Sequence, residues 1–157
     1  MKTLFLVVGK TTDKFLDRLI EEYAGRLGHY VPFEMEVIPE LKNTRGMPPE
    51  VQKEREGEQI LRRLQGGDYV VLLDEGGMER RSVDFAAWFD SRQQAAGRRM
   101  VFVVGGPYGF SAAVYAAARE QVSLSKMTFS HQMVRLLFVE QLYRAMTILR
   151  GEPHHHE

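Results

Sequence analysis

The residues best suited to move a proton lie at the end of the chain, where His154, His155 and His156 precede Glu157. A neutral imidazole with a pKa of about 6.5 can accept a proton at neutral pH. The same run is also typical of a purification-tag remnant or of a tail without fixed structure. Adjacent histidines are poorly placed to share one metal ion, because helical ligands favour i, i+4 spacing, so no metal site is predicted.

A cation stands upstream of these histidines in the last predicted helix. Arg144 could neutralise an anion that forms beside a base. It also follows Glu140 by four residues, the spacing of an ordinary helical salt bridge. The residues alone leave both interpretations open.

A glycine-rich turn, Gly105–Gly109, follows a short apolar run. Glycine lets a backbone approach a ligand closely because no side chain blocks it. The turn matches neither the dinucleotide pattern G-x-G-x-x-G nor the P-loop pattern, so phosphate cradling of either kind is not predicted. A tight strand-to-helix turn is the competing interpretation.

The segment Leu124–Phe129 is unusually apolar for a connection, since loops are normally polar and lie on the surface. Its apolar side chains and backbone donors could surround an aromatic group the size of adenine. A buried loop anchored by Met127 and Phe129 is the alternative interpretation.

Strand and helix patterns alternate along the chain and predict one α/β domain over residues 1–157, with a mostly parallel sheet and helices on both faces. Pro32–Pro39 alternates apolar and acidic residues, which predicts an edge strand. Ligands of parallel sheets bind beyond the carboxyl ends of the strands. Three predicted loops should therefore meet at that edge: Leu73–Gly77, Gly105–Gly109 and Leu124–Phe129.

The last predicted helix, Ser130–Arg150, is apolar on almost every face. A surface helix normally keeps a wide polar face. We therefore expect this helix to be packed on two sides, with a second copy of the chain as one candidate neighbour.

Composition narrows the classes of function. Twenty-one basic and 21 acidic residues give zero net charge, which argues against binding nucleic acid by bulk electrostatics alone. The chain has no cysteine, its apolar start resembles no signal peptide, and no apolar run is long enough to span a bilayer. We expect a cytoplasmic protein without membrane contact.

Several runs taken together resemble one family. They are Leu6–Lys10, Lys53–Gln59, the Gly105-Gly-Pro turn, Ser125–Arg135, Glu140–Ala145 and Pro153–Glu157. In order and in length the whole chain is similar to the RlmH family of bacterial ribosomal RNA large-subunit methyltransferases. The resemblance implies a SPOUT fold with a C-terminal trefoil knot, and a homodimer formed through the C-terminal helices.

The resemblance also implies S-adenosyl-L-methionine as the cofactor. Its contacts carry over to Leu73, to Gly105 and to the loop residues Leu124, Ser125, Lys126, Met127, Thr128 and Phe129.

The implied reaction is methylation of N3 of a pseudouridine in 23S rRNA on the assembled ribosome. His155 takes the place of the family's tail histidine and Arg144 that of its Tyr-Arg-Ala arginine, so both are expected to be catalytic. His154 and His156 depart from the family, which usually has tyrosine and a basic residue there. A non-catalytic, dimeric ribosome-binding protein of the same fold is the alternative, whereas the missing glycine fingerprint disfavours a Rossmann enzyme.

Overall fold

The computed structural model describes residues 1–95 and 97–153, and its elements alternate as the sequence predicts. In chain order they are β1 (Lys2–Val8), α1 (Lys14–Leu27), β2 (Phe33–Ile38), α2 (Pro49–Arg62), β3 (Asp68–Glu79), α3 (Ser82–Ala95), β4 (Arg99–Val104), α4 (Ala112–Ala117), β5 (Glu120–Ser123) and α5 (Met133–Leu149).

The five strands form one sheet in the order β2-β1-β4-β3-β5, and every neighbouring pair is parallel. The predicted α/β class is confirmed, and the strand within Pro32–Pro39 does lie at an edge. The trefoil knot stays a prediction.

The sheet has an apolar layer on each face because its central strands are buried on both sides. In β1, Phe5 and Val7 join the core with α1, α3 and α5, whereas Leu4, Leu6 and Val8 join the core with α2 and α4. Alternate side chains of a strand point to opposite faces, so a continuous apolar run serves two layers. The helices on both faces were also predicted correctly.

One predicted loop is wrong. The segment Leu73–Gly77 continues β3, which runs to Glu79 and shifts its register on β5 between Leu73 and Met78. At Gly77 an added Cβ would lie 2.6 Å from backbone atoms of Gln121 and Val122. The missing side chain lets the two backbones meet, so glycine here extends a bulged strand rather than ending it.

The predicted two-sided packing of the last helix is confirmed within one chain. Helix α5 contacts α1 on one side and α3 on the other, and the Phe138 ring lies 4.5 Å from that of Phe5 and 4.7 Å from that of Phe102. Its apolar surface is thus largely explained without a second copy. No helix in the described part of the chain is long and apolar enough to cross a membrane.

Candidate functional site

A cavity of about 550 Å³ opens at the carboxyl edge of the sheet. Its walls come from the ends of β3, β4 and β5, from the segments that follow them, and from the start of α5. The lining residues are 73–75, 104–110, 122–125, 127–131 and Val134. The three segments predicted to meet at this edge therefore do meet, because parallel strands place their carboxyl ends together.

Most residues predicted to bind a cofactor line this cavity. Those that do are Leu73, Gly105, Leu124, Ser125, Met127, Thr128 and Phe129. Lys126 is exposed and is not among the lining residues.

The Leu124–Phe129 loop is largely exposed rather than buried, and hydrogen bonds within the segment hold its conformation. The Ser123 hydroxyl donates to the Ser125 carbonyl at 2.8 Å, and the Met127 N–H donates to the Ser125 hydroxyl at 2.9 Å. Met127 is 75% exposed and Phe129 is 37% exposed. The alternative of a loop anchored in the core by these two side chains is therefore wrong. Its apolar side chains stand where a ligand could cover them.

The Gly105–Gly109 segment forms a tight turn, and its backbone also packs closely against neighbouring side chains. Gly109 has φ +80°, and its N–H donates to the Gly106 carbonyl at 3.1 Å. A Cβ at Gly105 would lie 3.0 Å from the Phe110 ring, and one at Gly106 would lie 2.6 Å from the Glu56 carboxylate. Side chains at Gly105 and Gly106 would thus displace their neighbours, so the cavity wall here must be backbone.

Glu56 of α2 contacts the backbone of the Gly105–Gly109 turn at Gly106. The Gly106 N–H donates to its carboxylate. Burial raises the pKa of Glu56; the Gly106 hydrogen bond lowers it, and the charge of Glu40 raises it further. A carboxylate that is costly to bury therefore fixes one wall of the cavity.

Arg135 is a structural residue that the sequence reasoning missed. Its side chain is fully buried, and its guanidinium donates to the carbonyls of Val8 at 2.9 Å, Gly9 at 2.7 Å and His131 at 3.0 Å. These bonds join the start of α5 to the end of β1.

Burial lowers the pKa of Arg135, while Glu40 and Asp17 raise it. Because arginine is so strongly basic, it keeps its charge at neutral pH. A charged residue in an otherwise apolar helix face was the available signal.

Gln132 reinforces the same junction. Its side-chain oxygen accepts from the Thr12 N–H at 3.0 Å, and its amide nitrogen donates to the Lys10 carbonyl at 3.2 Å. The start of α5 is thereby tied to the connection between β1 and α1. The start of α5 also forms part of the cavity wall, so Gln132 and Arg135 together set the position of that wall.

Two further cavity residues carry chemistry that the sequence did not assign. His131 lines the cavity, although no role was predicted for it. Asp74 also lines it; its carboxylate accepts from the Tyr115 hydroxyl at 2.9 Å and from the Gly76 N–H at 3.2 Å. Burial, followed by this hydrogen bond to Asp74, raises the pKa of Tyr115 to about 12. The phenol therefore stays a donor at neutral pH.

Arg144 and the last described residues, which follow α5, lie toward the other end of this helix. Arg144 makes the predicted salt bridge to Glu140, with a nitrogen–oxygen distance of 2.7 Å. Beyond the helix, the Glu152 carboxylate accepts from the Tyr30 hydroxyl at 2.9 and 3.0 Å. His155 lies outside the described residues. Arg144 is not among the residues that line the cavity of its own chain.

The length of α5 sets the distance between these two places. The helix has 17 residues, so its ends are about 26 Å apart. Residues at its start line the cavity, and its other end packs near Tyr30, which precedes β2. Among the residues that the structure covers, no group of three or more His, Cys, Asp or Glu is placed to hold a metal ion.

Comparison with known proteins gives agreement over the whole chain. The family model described as "Predicted SPOUT methyltransferase" matches residues 1–155. The chain is 59% identical to the ribosomal RNA large subunit methyltransferase H of Bacteroides fragilis over 157 residues, which is 100% of both chains. It is 58% identical, with the same coverage, to the protein of that name from Parabacteroides distasonis. The protein of that name from Christiangramia forsetii is 52% identical over 156 residues, 99% of each chain.

Proposed function

This chain belongs to the SPOUT methyltransferase family, and on that premise we propose that it methylates ribosomal RNA of the large subunit in the cytoplasm. The observation that carries the proposal is the full-length identity of 52–59% to proteins with that activity in their names. At the finest level, we propose N3 of a pseudouridine in 23S rRNA as the methylated atom and the assembled ribosome as the substrate.

The proposed cofactor is S-adenosyl-L-methionine, bound in the cavity at the carboxyl edge. The volume of about 550 Å³ falls within the range of roughly 300–1,000 Å³ that small-molecule sites usually have. The exposed apolar side chains of Met127 and Phe129 suit an adenine ring, and Gly105 leaves room for close approach. When bound, this cofactor supplies an electrophilic methyl group.

The chain itself must then manage one proton. N3 of the target base carries a proton, and it becomes nucleophilic when that proton leaves. We assign the proton to the His155 imidazole. The cofactor, held by the residues that line the cavity, would supply the methyl group to N3 and would keep on sulfur the electron pair of the broken carbon–sulfur bond. Arg144 would stabilise the negative charge that develops on the base.

We propose that two chains share each site, and the geometry of one chain supports this. His155 follows Pro153 by two residues, which reach at most about 7 Å. The two ends of α5 are about 26 Å apart, with the cavity at one end and Pro153 beyond the other. We therefore propose that His155 serves the cavity of a second copy, in the homodimer expected through the C-terminal helices.

Transfer of labelled methyl groups to ribosomes that lack the modification tests the activity. We expect N3-methylpseudouridine in 23S rRNA after incubation with purified protein and S-adenosyl-L-methionine. Cofactor binding with no methylated product would favour the alternative, a dimeric ribosome-binding protein without turnover, for which the substituted His154 is the supporting residue.

Complementation between two inactive variants tests the shared site. His155→Ala keeps the cavity and removes the base, whereas Gly105→Val keeps the base and fills the approach to the cavity. Each alone should be inactive. Co-refolded mixtures should recover about a quarter of the wild-type rate per chain, since half of the random dimers carry one intact site of two. No recovery from well-folded mixtures would place base and cavity in one chain.

A further inference from the structure

The wall of the cavity is negatively charged. Asp74 and Glu75 both line it, and His131 is the only basic side chain among the described residues that do so. No lysine or arginine belongs to that part of the wall, although the chain has 21 of them. A ligand entering this cavity meets carboxylates and therefore gains if it carries positive charge.

Asp74 is the better fixed of the two carboxylates. It is half-buried, whereas Glu75 is exposed. One of its oxygens accepts from the Tyr115 hydroxyl at 2.9 Å and the other from the Gly76 N–H at 3.2 Å. Each carboxylate oxygen can accept more than one hydrogen bond, so both keep capacity for a ligand. Its orientation is fixed before a ligand arrives, which lowers the entropy lost on binding.

We propose that Asp74 makes the site select the cofactor by its charge, binding the sulfonium form more tightly than the product left after transfer. This inference rests on the proposed function. Methyl transfer converts a positively charged sulfonium into a neutral thioether, so the ligand loses one positive charge in the cavity while its shape changes by one methyl group. Tyr115 acts as a positioning residue, because it holds the Asp74 carboxylate without facing the ligand itself.

The expected difference in affinity follows from the attraction between the half-buried Asp74 carboxylate and the sulfonium of the cofactor. Two unit charges a few ångströms apart near a protein surface interact appreciably, and solvent screening reduces that interaction. We expect the wild-type protein to bind S-adenosylmethionine about 10-fold more tightly than S-adenosylhomocysteine. The consequence for turnover is that the product leaves as the charge disappears.

A different role for Asp74 would be a hydrogen bond to the ribose hydroxyls. That role predicts equal effects on charged and neutral ligands, because all of them carry the same ribose. Three probes separate the two roles: S-adenosylmethionine, S-adenosylhomocysteine and 5′-methylthioadenosine, which lacks the amino-acid end. Only the first has a sulfonium.

Isothermal titration of the full-length protein with these probes tests the inference. Asp74→Asn keeps the shape and an acceptor oxygen but removes the charge. We expect it to weaken S-adenosylmethionine about 10-fold and to change the neutral probes by less than about 2-fold. Equal losses for all three probes would make Asp74 a ribose anchor, and no loss would remove it from the site; either result overturns the inference.

Two further variants keep the test specific. Tyr115→Phe should reduce the preference for the sulfonium about 3-fold, because the carboxylate loses its orientation but not its charge. Glu79→Gln removes an equal charge from the exposed end of β3, outside the cavity lining, and should leave the preference unchanged. An equal change in Glu79→Gln would show that net charge alone sets the preference.

Failure of the proposed function gives a different result. If the wild-type protein bound none of the three probes, the cavity would not be a site for this cofactor, and the inference would fall with the proposed function. If the wild-type protein bound all three equally, the cofactor site would stand and only the selection by charge would be refuted.

Discussion

The two ends of helix α5 use charge in opposite ways. At the cavity end, Arg135 is fully buried and donates hydrogen bonds to the backbone carbonyls of Val8, Gly9 and His131. At the tail end, Arg144 is one-third exposed and pairs with another side chain, Glu140. The first arginine is bonded to backbone groups that cannot move away, whereas the second forms an ion pair with a side-chain carboxylate that can rotate.

This difference separates building the site from operating it. A buried guanidinium that satisfies main-chain acceptors fixes the relative positions of a helix and a strand, since losing it would leave those acceptors without donors. We propose that Arg144, which is one-third exposed, contacts RNA during turnover, since an ion pair near the surface contributes little stability and can be replaced at small cost in free energy. We therefore expect substitutions at the cavity end to act on folding and those at the tail end to act on turnover.

The largest expected effect is that of Arg135→Met. Two buried carbonyls, those of Val8 and Gly9, and the partly buried carbonyl of His131 lose this donor, which should reduce the free energy of unfolding by about 3–5 kcal/mol. Urea denaturation followed by circular dichroism measures this loss. Arg18→Met, on the exposed surface of α1, is the matched control and should change stability very little. Equal stability of the two variants would end the contrast between the two ends of α5.

Arg144→Met should act on turnover instead. We expect the rate of methyl transfer to fall by about 100-fold, because a developing negative charge loses its counter-charge. Its melting temperature and its affinity for S-adenosylmethionine should stay near wild-type values. Single-turnover kinetics, thermal melting and titration calorimetry measure the three quantities. A variant that loses stability but keeps its rate would assign Arg144 to the fold.

Tyr30→Phe sharpens the comparison at the tail end. The ring keeps its packing against Tyr143 at 5.9 Å and its contact with the Arg150 guanidinium at 4.5 Å, while the bond to Glu152 disappears. Since that bond orients the chain just before Pro153, we expect the transfer rate to fall about 3-fold with unchanged cofactor affinity. Tyr23→Phe, in the same aromatic cluster, is the control. Equal rates for both variants would contradict a role of the bond in turnover.

The smallest expected effect is a gain in stability from Glu56→Gln. The pKa of Glu56 is raised above its ordinary value of 4.5, mainly by burial. Below that pH the carboxyl is protonated in both the folded and the unfolded state. As the pH rises through the raised pKa, the folded protein must charge a buried group, so the wild type loses stability. Glutamine avoids that charge and can still accept from the Gly106 N–H.

Thermal melting of wild type and Glu56→Gln between pH 4 and pH 8 measures this effect. The variant should melt higher at neutral pH, and the difference should shrink toward pH 4. A constant difference would mean that shape, rather than ionisation, decides the effect. A lower melting temperature at neutral pH would show that the charge itself holds the turn.

The sequence predicted the fold class and most of the site because both depend on local patterns. Three apolar runs specified buried parallel strands, and the segments after those runs then had to meet at one edge. The error at Leu73–Gly77 has a local cause as well. Two glycines usually mark a turn, and only the approach of β5 shows that Gly77 is there to let two backbones touch.

Resemblance to a family supplied the hypotheses that no pattern contained, including the proposed cofactor and the proposed base in the tail. The chain by itself determined its α/β class, its edge strand and the sheet edge that carries the cavity, since hydrophobic periodicity and strand direction fix these. Only the tertiary structure decided that the buried Arg135 bonds to the end of β1, and that Asp74 lines the cavity while accepting a hydrogen bond from Tyr115. It also decided that the cavity lies at the start of α5, whose two ends are about 26 Å apart. These depend on contacts between residues far apart in sequence, and such contacts leave no periodic trace.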